Sequence, residues 1–239
     1  MHEDGTVDDR EELTRLRSLV VRGDGPGLVA ALSEGPWPAD SLHLIGEGLL
    51  AAVRSGADGS AELALECVNA LRERRWDGDR ELVEVLDAAL GNGPTPLLRP
   101  LPVDLEELSM ILEGDPVQGG GRVDLATGQV WPQSALDYAE ESGEAEDDDP
   151  DRWLWVECEG SRSAYQDMVG FIEGIDDPNL VDRLARAISG RGAFRRFKDT
   201  LFDRPDLMTQ WHAFSGDRHR GRARSWLAAE GYTPTRPLR

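Results

Sequence analysis

The sequence predicts an α+β protein: an all-helical domain over residues 1–96, a proline-rich linker at 97–102, and a helical domain over 103–239 with a small antiparallel three-stranded sheet. Three observations predict it. Apolar residues recur at helical spacing through residues 7–96 with no convincing strand. Four prolines crowd the stretch from Gly91 to Pro102, a density that favours extended, semi-rigid backbone. Beyond them, short runs of alternating apolar and polar residues appear for the first time.

In the first half, Leu13, Leu16 and Val20 mark one helix that stops at Gly23, and Leu28, Val29 and Leu32 a second that ends at Gly35. Leu42, Ile45, Leu49 and Val53 form a stripe ending at Gly56. Leu63, Val68 and Leu71, then Leu82, Val83, Leu86 and Leu90, complete five amphipathic segments. Trp37-Pro38-Ala39-Asp40 and Trp76-Asp77-Gly78-Asp79 share a Trp-x-x-Asp pattern 39 residues apart. Each Asp is expected to cap the helix that follows, with the tryptophan as a staple or wedge. A period near 40 is that of two-helix repeats.

In the second half, Asp104 caps a helix carrying Leu105, Leu108 and Leu112. Arg122 to Val130 reads as a hairpin turning at Gly128, and Trp153 to Cys158 as a third strand, with Leu154, Val156 and Cys158 facing one way and the tryptophans the other. Asp137 to Asp151 holds nine acidic residues and no basic one. It lacks the ligand spacing and central glycine of a calcium loop, and is expected to be a mobile, self-repelling loop.

Asp177-Pro178 opens a helix whose buried face is Leu180, Val181, Leu184, Ala185 and Ile188, closed at Gly190. The next begins near Gly192, with Phe194, Phe197 and Leu201 as core and Arg196 in solvent. This corner, Gly190-Arg191-Gly192-Ala193-Phe194-Arg195-Arg196-Phe197-Lys198-Asp199, holds four basic residues, among them the single lysine of a chain of net charge -20. One reading is an interhelical turn whose arginines bond helix carbonyls and carboxylates. The other is an anion site built from Arg191, Gly192, Arg195 and Lys198. Pro205 opens a further helix with Leu207, Trp211 and Phe214, and Asp217 to Glu230 another. The latter carries Arg218 with Arg222, and Arg220 with Arg224, as a second candidate anion surface.

On the 190–199 string, on Trp211, Phe214 and Trp226-Leu227, and on the hairpin Val123-Asp124-Leu125-Ala126-Thr127-Gly128-Gln129-Val130, the chain resembles the bacterial uncharacterised protein family 0158 over about residues 103–232. Gln129 stands where the family's pattern has Glu, which weakens any reading of that position as a catalytic acid. The resemblance implies a fold and assigns no activity.

Charge is unevenly spread: residues 190–239 hold 11 Lys/Arg against 5 Asp/Glu, and the preceding 189 hold 15 against 41. The acidic bulk disfavours nonspecific binding to nucleic acid or anionic membrane. No apolar run approaches a membrane span, no signal peptide is evident, and Cys67 and Cys158 form no pair by spacing. A cytoplasmic protein is expected. Phosphate-loop, dinucleotide and zinc-protease motifs are absent. His2, His43, His212 and His219 are scattered, and His219 lacks an identifiable orienting carboxylate. No catalytic residue, metal or cofactor is therefore assigned. The expected function is binding or adaptor work, with a protein partner at the N-terminal helices. The alternative is an enzyme or binder acting on a phosphorylated or nucleic-acid substrate.

Overall fold

The computed structural model describes residues 5–38, 40–114, 119–143, 149 and 151–235. Five helices come first: α1 (Gly5–Arg22), α2 (Gly25–Ser33), α3 (Leu42–Ser55), α4 (Ser60–Arg74) and α5 (Asp79–Ala89). Their apolar stripes converge on one cluster that includes Leu16, Leu28, Ile45, Leu49, Val68, Leu71, Leu82 and Leu86. Asp24 starts α2 by accepting the Gly27 N–H at 3.0 Å. Trp37 packs at the cluster's edge, its indole N–H donating to the Leu32 carbonyl at 3.1 Å.

The expected Asp caps of the Trp-x-x-Asp pattern are not found. Ser41 stands at the N-cap of α3, and Asp40 lies outside that helix in a left-handed conformation, φ 54°. Asp79 is the first residue of α5, and its carboxylate turns back to accept the Trp76 N–H at 2.7 Å. The two motifs therefore do different work, one at the edge of a core and one at a buried ion cluster.

The second half holds α6 (Leu105–Leu112), the strands β2 (Gly121–Asp124), β3 (Val130–Pro132) and β4 (Trp153–Val156), and the helices α7 (Gln133–Ser142), α8 (Arg162–Glu173), α9 (Pro178–Ile188), α10 (Ala193–Leu201) and α11 (Pro205–Ala229). The antiparallel sheet runs β3-β2-β4, as the alternation predicts. Val123 faces Leu154 across it, and both join Val156 in a cluster with Leu108 and Leu112. The tryptophan face is not uniformly exposed: Trp153 is buried beneath the Arg122 guanidinium, 3.7 Å from its ring. Inside the proline-rich stretch, β1 (Arg99–Leu101) pairs in parallel with β5 (Tyr232–Pro234), so Leu101 is buried.

Two further expectations are corrected. The acidic run from Asp137 is helical to Ser142, with Gln133 donating to Asp137 at 2.8 Å. Residues 144–148 and 150 of that run lie outside the described residues. The two C-terminal helices are one, α11, which passes through Ser215-Gly216 unbroken. Burial explains its continuity. Its first turns join α8, α9 and α10 in a core of Phe171, Leu184, Phe197 and Trp211, while Ala223 and Leu227 join the sheet cluster.

Candidate functional site

The α9–α10 corner forms because two glycines reverse the chain: Gly190 and Gly192 hold φ of +81° and +77°, a region costly for residues with a Cβ. Arg196 is exposed, as expected, and its guanidinium also reaches back across the corner. Its Nε donates to the Ala187 carbonyl at 2.9 Å and its Nη2 to the Ser189 carbonyl at 2.8 Å, with a further bond to the Arg191 carbonyl. The Ala187 and Ser189 carbonyls lie at the end of α9, where no further turn follows to bond them, and the Arg191 carbonyl lies between the two glycines, so one cation closes the whole corner. The expected core stripe holds at Phe197 and Leu201 and differs at its first position. Ala193, Phe197 and Leu201 are buried, whereas Phe194 is exposed.

With Arg196 committed, the remaining cations of the corner, Arg191, Arg195 and Lys198, all face solvent. Arg195 lies 3.8 Å from Asp199, a pair with 89% and 70% of the two side chains exposed and so of little energetic weight. The first turn of α10 has no side-chain cap, which leaves its N–H groups to water or an anion.

The second candidate surface is not a surface. Arg220, Arg222 and Arg224 of α11 are buried, and each meets a carboxylate from another helix. Arg222 holds both oxygens of Asp167, at 3.1 and 2.8 Å, and also bonds Glu113. Arg218 donates to Asp167 at 2.9 Å. Arg220 bonds Glu106, and Arg224 bonds Glu47. The carboxylates come from the structured helices α3, α6 and α8, not from the acidic run. Sequence alone offers no signal for such pairings, since the partners lie 51 to 177 residues away.

A second layer joins α11 to the N-terminal helices. Asp217 is almost wholly buried and accepts from the His43 N–H at 2.8 Å and from Arg74 Nη1 at 2.6 Å. Arg74 also donates to Asp79, at 3.1 and 2.6 Å, and His43 Nε2 lies 3.1 Å from the same carboxylate. Trp76 packs edge-on to Phe214, ring centroids 5.2 Å apart, with the Arg74 and Arg218 guanidiniums over its ring at 4.1 and 5.1 Å. The backbones themselves nearly touch: a Cβ on Gly221 would lie 2.2 Å from the Asp77 carbonyl.

His219, left without an orienting group by the sequence, has one in the structure: its Nε2 lies 3.0 Å from Glu113. Glu113, Asp167 and His219 bring one ligand atom each within 4.8 Å of one another, a grouping able to hold a metal. Both carboxylates are already paired with Arg222, however, so an arriving cation competes with a guanidinium. Burial opposes ionisation of Glu113, but His219 and Arg222 outweigh it and hold the carboxyl below its ordinary range. At Asp79 burial is likewise outweighed, by His43 and Arg74. An acid whose folded-state pKa is lowered adds stability above its unfolded value, and that stability is lost as pH falls through the folded one. Melting temperature is therefore expected to fall as the pH drops below about 4. A thermal-denaturation series over pH checks this, and a melting temperature that rises on acidification contradicts it.

Residues 128–236 match the model of an uncharacterised protein family, UPF0158. A UPF0158 protein of Pseudomonas aeruginosa is 26% identical over 137 residues, which cover 57% of this chain and 88% of that protein. No solved structure matches the chain. Among the described residues, no helix is long and apolar enough to cross a membrane.

Proposed function

From the premise that the C-terminal half of this chain belongs to the uncharacterised protein family UPF0158, whose name assigns no chemistry, we propose that the protein is a non-enzymatic binding protein that recognises an anionic group at the α9–α10 corner. The observation that carries this reading is the division of labour among the corner's cations. Arg196 alone is tied to the backbone carbonyls, while Arg191, Arg195 and Lys198 stand in solvent beside the uncapped start of α10. A phosphate or carboxylate seated there meets N–H groups, the positive end of a helix and mobile cations together. Arg218 and Arg222 drop out of the anion site, because Asp167 and Glu113 occupy them. In this reading the N-terminal helices serve a protein partner.

The test separates clasp from ligand site. Lys198→Met and Arg195→Gln are expected to leave the melting temperature unchanged and to weaken retention on a phosphate-bearing resin. Arg196→Met, by contrast, is expected to lower the melting temperature by several degrees. A large loss of stability for Lys198→Met or Arg195→Gln without ligand, or unaltered retention, rejects the site. A gel-shift series at rising salt distinguishes nucleic acid, whose binding weakens as counterions compete.

One observation favours a second reading, an enzyme acting on a phosphorylated or nucleic-acid substrate: His219, with Nε2 3.0 Å from Glu113, offers a general base with a carboxylate beside it. Hydrolysis of phosphate esters by the purified protein, abolished in His219→Gln, would support it over the binding role.

A further inference from the structure

A cavity of about 310 Å³ opens between α1, the segment before α3, α8 and α11. Its apolar wall includes Leu13, Pro38, Phe171, Ile175 and Phe214. The two phenylalanines stand with ring centroids 5.7 Å apart, tilted by 59°, so their faces and edges make an aromatic corner. Among the described residues no lysine, arginine or histidine lines it, and its charged groups are two carboxylates, Asp40 and Asp206. That size is at the lower end of small-molecule pockets, which are mostly apolar with a few placed polar groups.

The two carboxylates differ. Asp206 is paired with Arg204 at 3.4 Å. Asp40 makes no hydrogen bond or ion pair among the described residues, and it is held in a left-handed backbone conformation, φ 54°. Non-glycine residues seldom adopt that conformation, Asp and Asn being the usual exceptions. Burial, and after it the charge of Asp217, push the Asp40 carboxyl above its ordinary range, against the pull of Arg74. An unpaired, half-buried carboxylate beside a second buried carboxylate gains more from an arriving cation than either partnered acid nearby.

We propose that this cavity binds a small organic cation, a protonated or quaternary ammonium on an apolar or aromatic body, with its charge at Asp40 and its body against Phe171 and Phe214. The aromatic faces add a cation–π attraction to the charge pairing. The site is separate from the α9–α10 corner and of opposite polarity, so the two readings stand or fall independently.

The probe is phenethylammonium, compared with its neutral counterpart 2-phenylethanol by thermal shift and by isothermal titration of the full chain. Phenethylammonium is expected to bind the native protein in the millimolar range, about 1 mM, and to raise its melting temperature, with 2-phenylethanol at least about tenfold weaker. Asp40→Asn keeps the shape and the tolerance for left-handed backbone, and is expected to erase that tenfold preference. Ala213→Leu narrows the cavity without touching Asp40 and is expected to abolish binding of both probes. Equal binding of the two probes by the native protein overturns the proposal in favour of a merely apolar cavity. So does an undiminished response in Asp40→Asn, which would assign the cation to the chain's general negative charge. Absence of any response to phenethylammonium at about 10 mM overturns it outright.

Discussion

Asp217→Asn is expected to destabilise the protein by about 3–5 kcal/mol, the scale for breaking a buried ion pair from one side. Asp217 is 1% exposed and accepts from two donors, the His43 N–H and the Arg74 guanidinium. An asparagine at this position has one acceptor oxygen for those two donors, and its amide nitrogen must face one of them. Arg74 keeps its bonds to Asp79, but the buried ion pair that ties α4 to α11 is broken from one side. Urea denaturation is expected to show a lower midpoint at unchanged slope. In a cycle with Arg74→Met, the paired loss should fall short of the sum of the single losses, because both changes remove the same interaction. A loss below about 1 kcal/mol would show that water reaches the pair and that the cluster is only a surface network.

Gly221→Ala is expected to cost about 1–3 kcal/mol or more by overpacking, and to do so at a position whose side chain is a single methyl. The added Cβ would meet the Asp77 carbonyl at 2.2 Å and His43 Nε2 at 2.8 Å, the first a backbone atom that cannot swing aside. A Cβ on Gly78, directly across, would meet the Gly221 carbonyl at the same 2.2 Å, and Gly78 carries φ +78° besides. Either substitution must push α11 away from the N-terminal helices and strain the ion cluster at the same contact. Differential scanning calorimetry of Gly221→Ala beside Gly216→Ala gives the comparison. Gly216 lies on the same helix with no contact closer than 3.9 Å, and its change is expected to be neutral or mildly stabilising. Equal effects from the two would reject close approach as the reason for glycine at 221.

Features set by neighbours in sequence were legible. The caps at Asp104 and Asp177, the turn at Gly128 and the corner glycines all follow from residues within a turn of their effect. Features set by distant partners were not. The helical wheel places Arg196 on the exposed side correctly, but it carries only the direction of the Cβ and so misses a long side chain that reaches back to carbonyls up to nine residues away. The arginines of α11 read as an exposed basic face because their carboxylates belong to helices that no local pattern associates with them. Ser215-Gly216 reads as a break because propensity is weighed without the packing that holds the helix on both sides. The Trp37-x-x-Asp40 motif supplies Pro38 and Asp40 to the cavity, but it gives no sign of the walls that α1, α8 and α11 add.

The charged seam between α11 and the N-terminal helices also bears on the order in which the chain is made. Those helices leave the ribosome first, and their partner strand of arginines follows only after residue 217. Until then, the face that will receive α11 presents His43, Glu47, Arg74 and Asp79. Such a face is wetted by water, where an apolar one would invite association with neighbouring chains. The seam is thus an address that can wait in solution, and the long helix that emerges after it is the one that reads it.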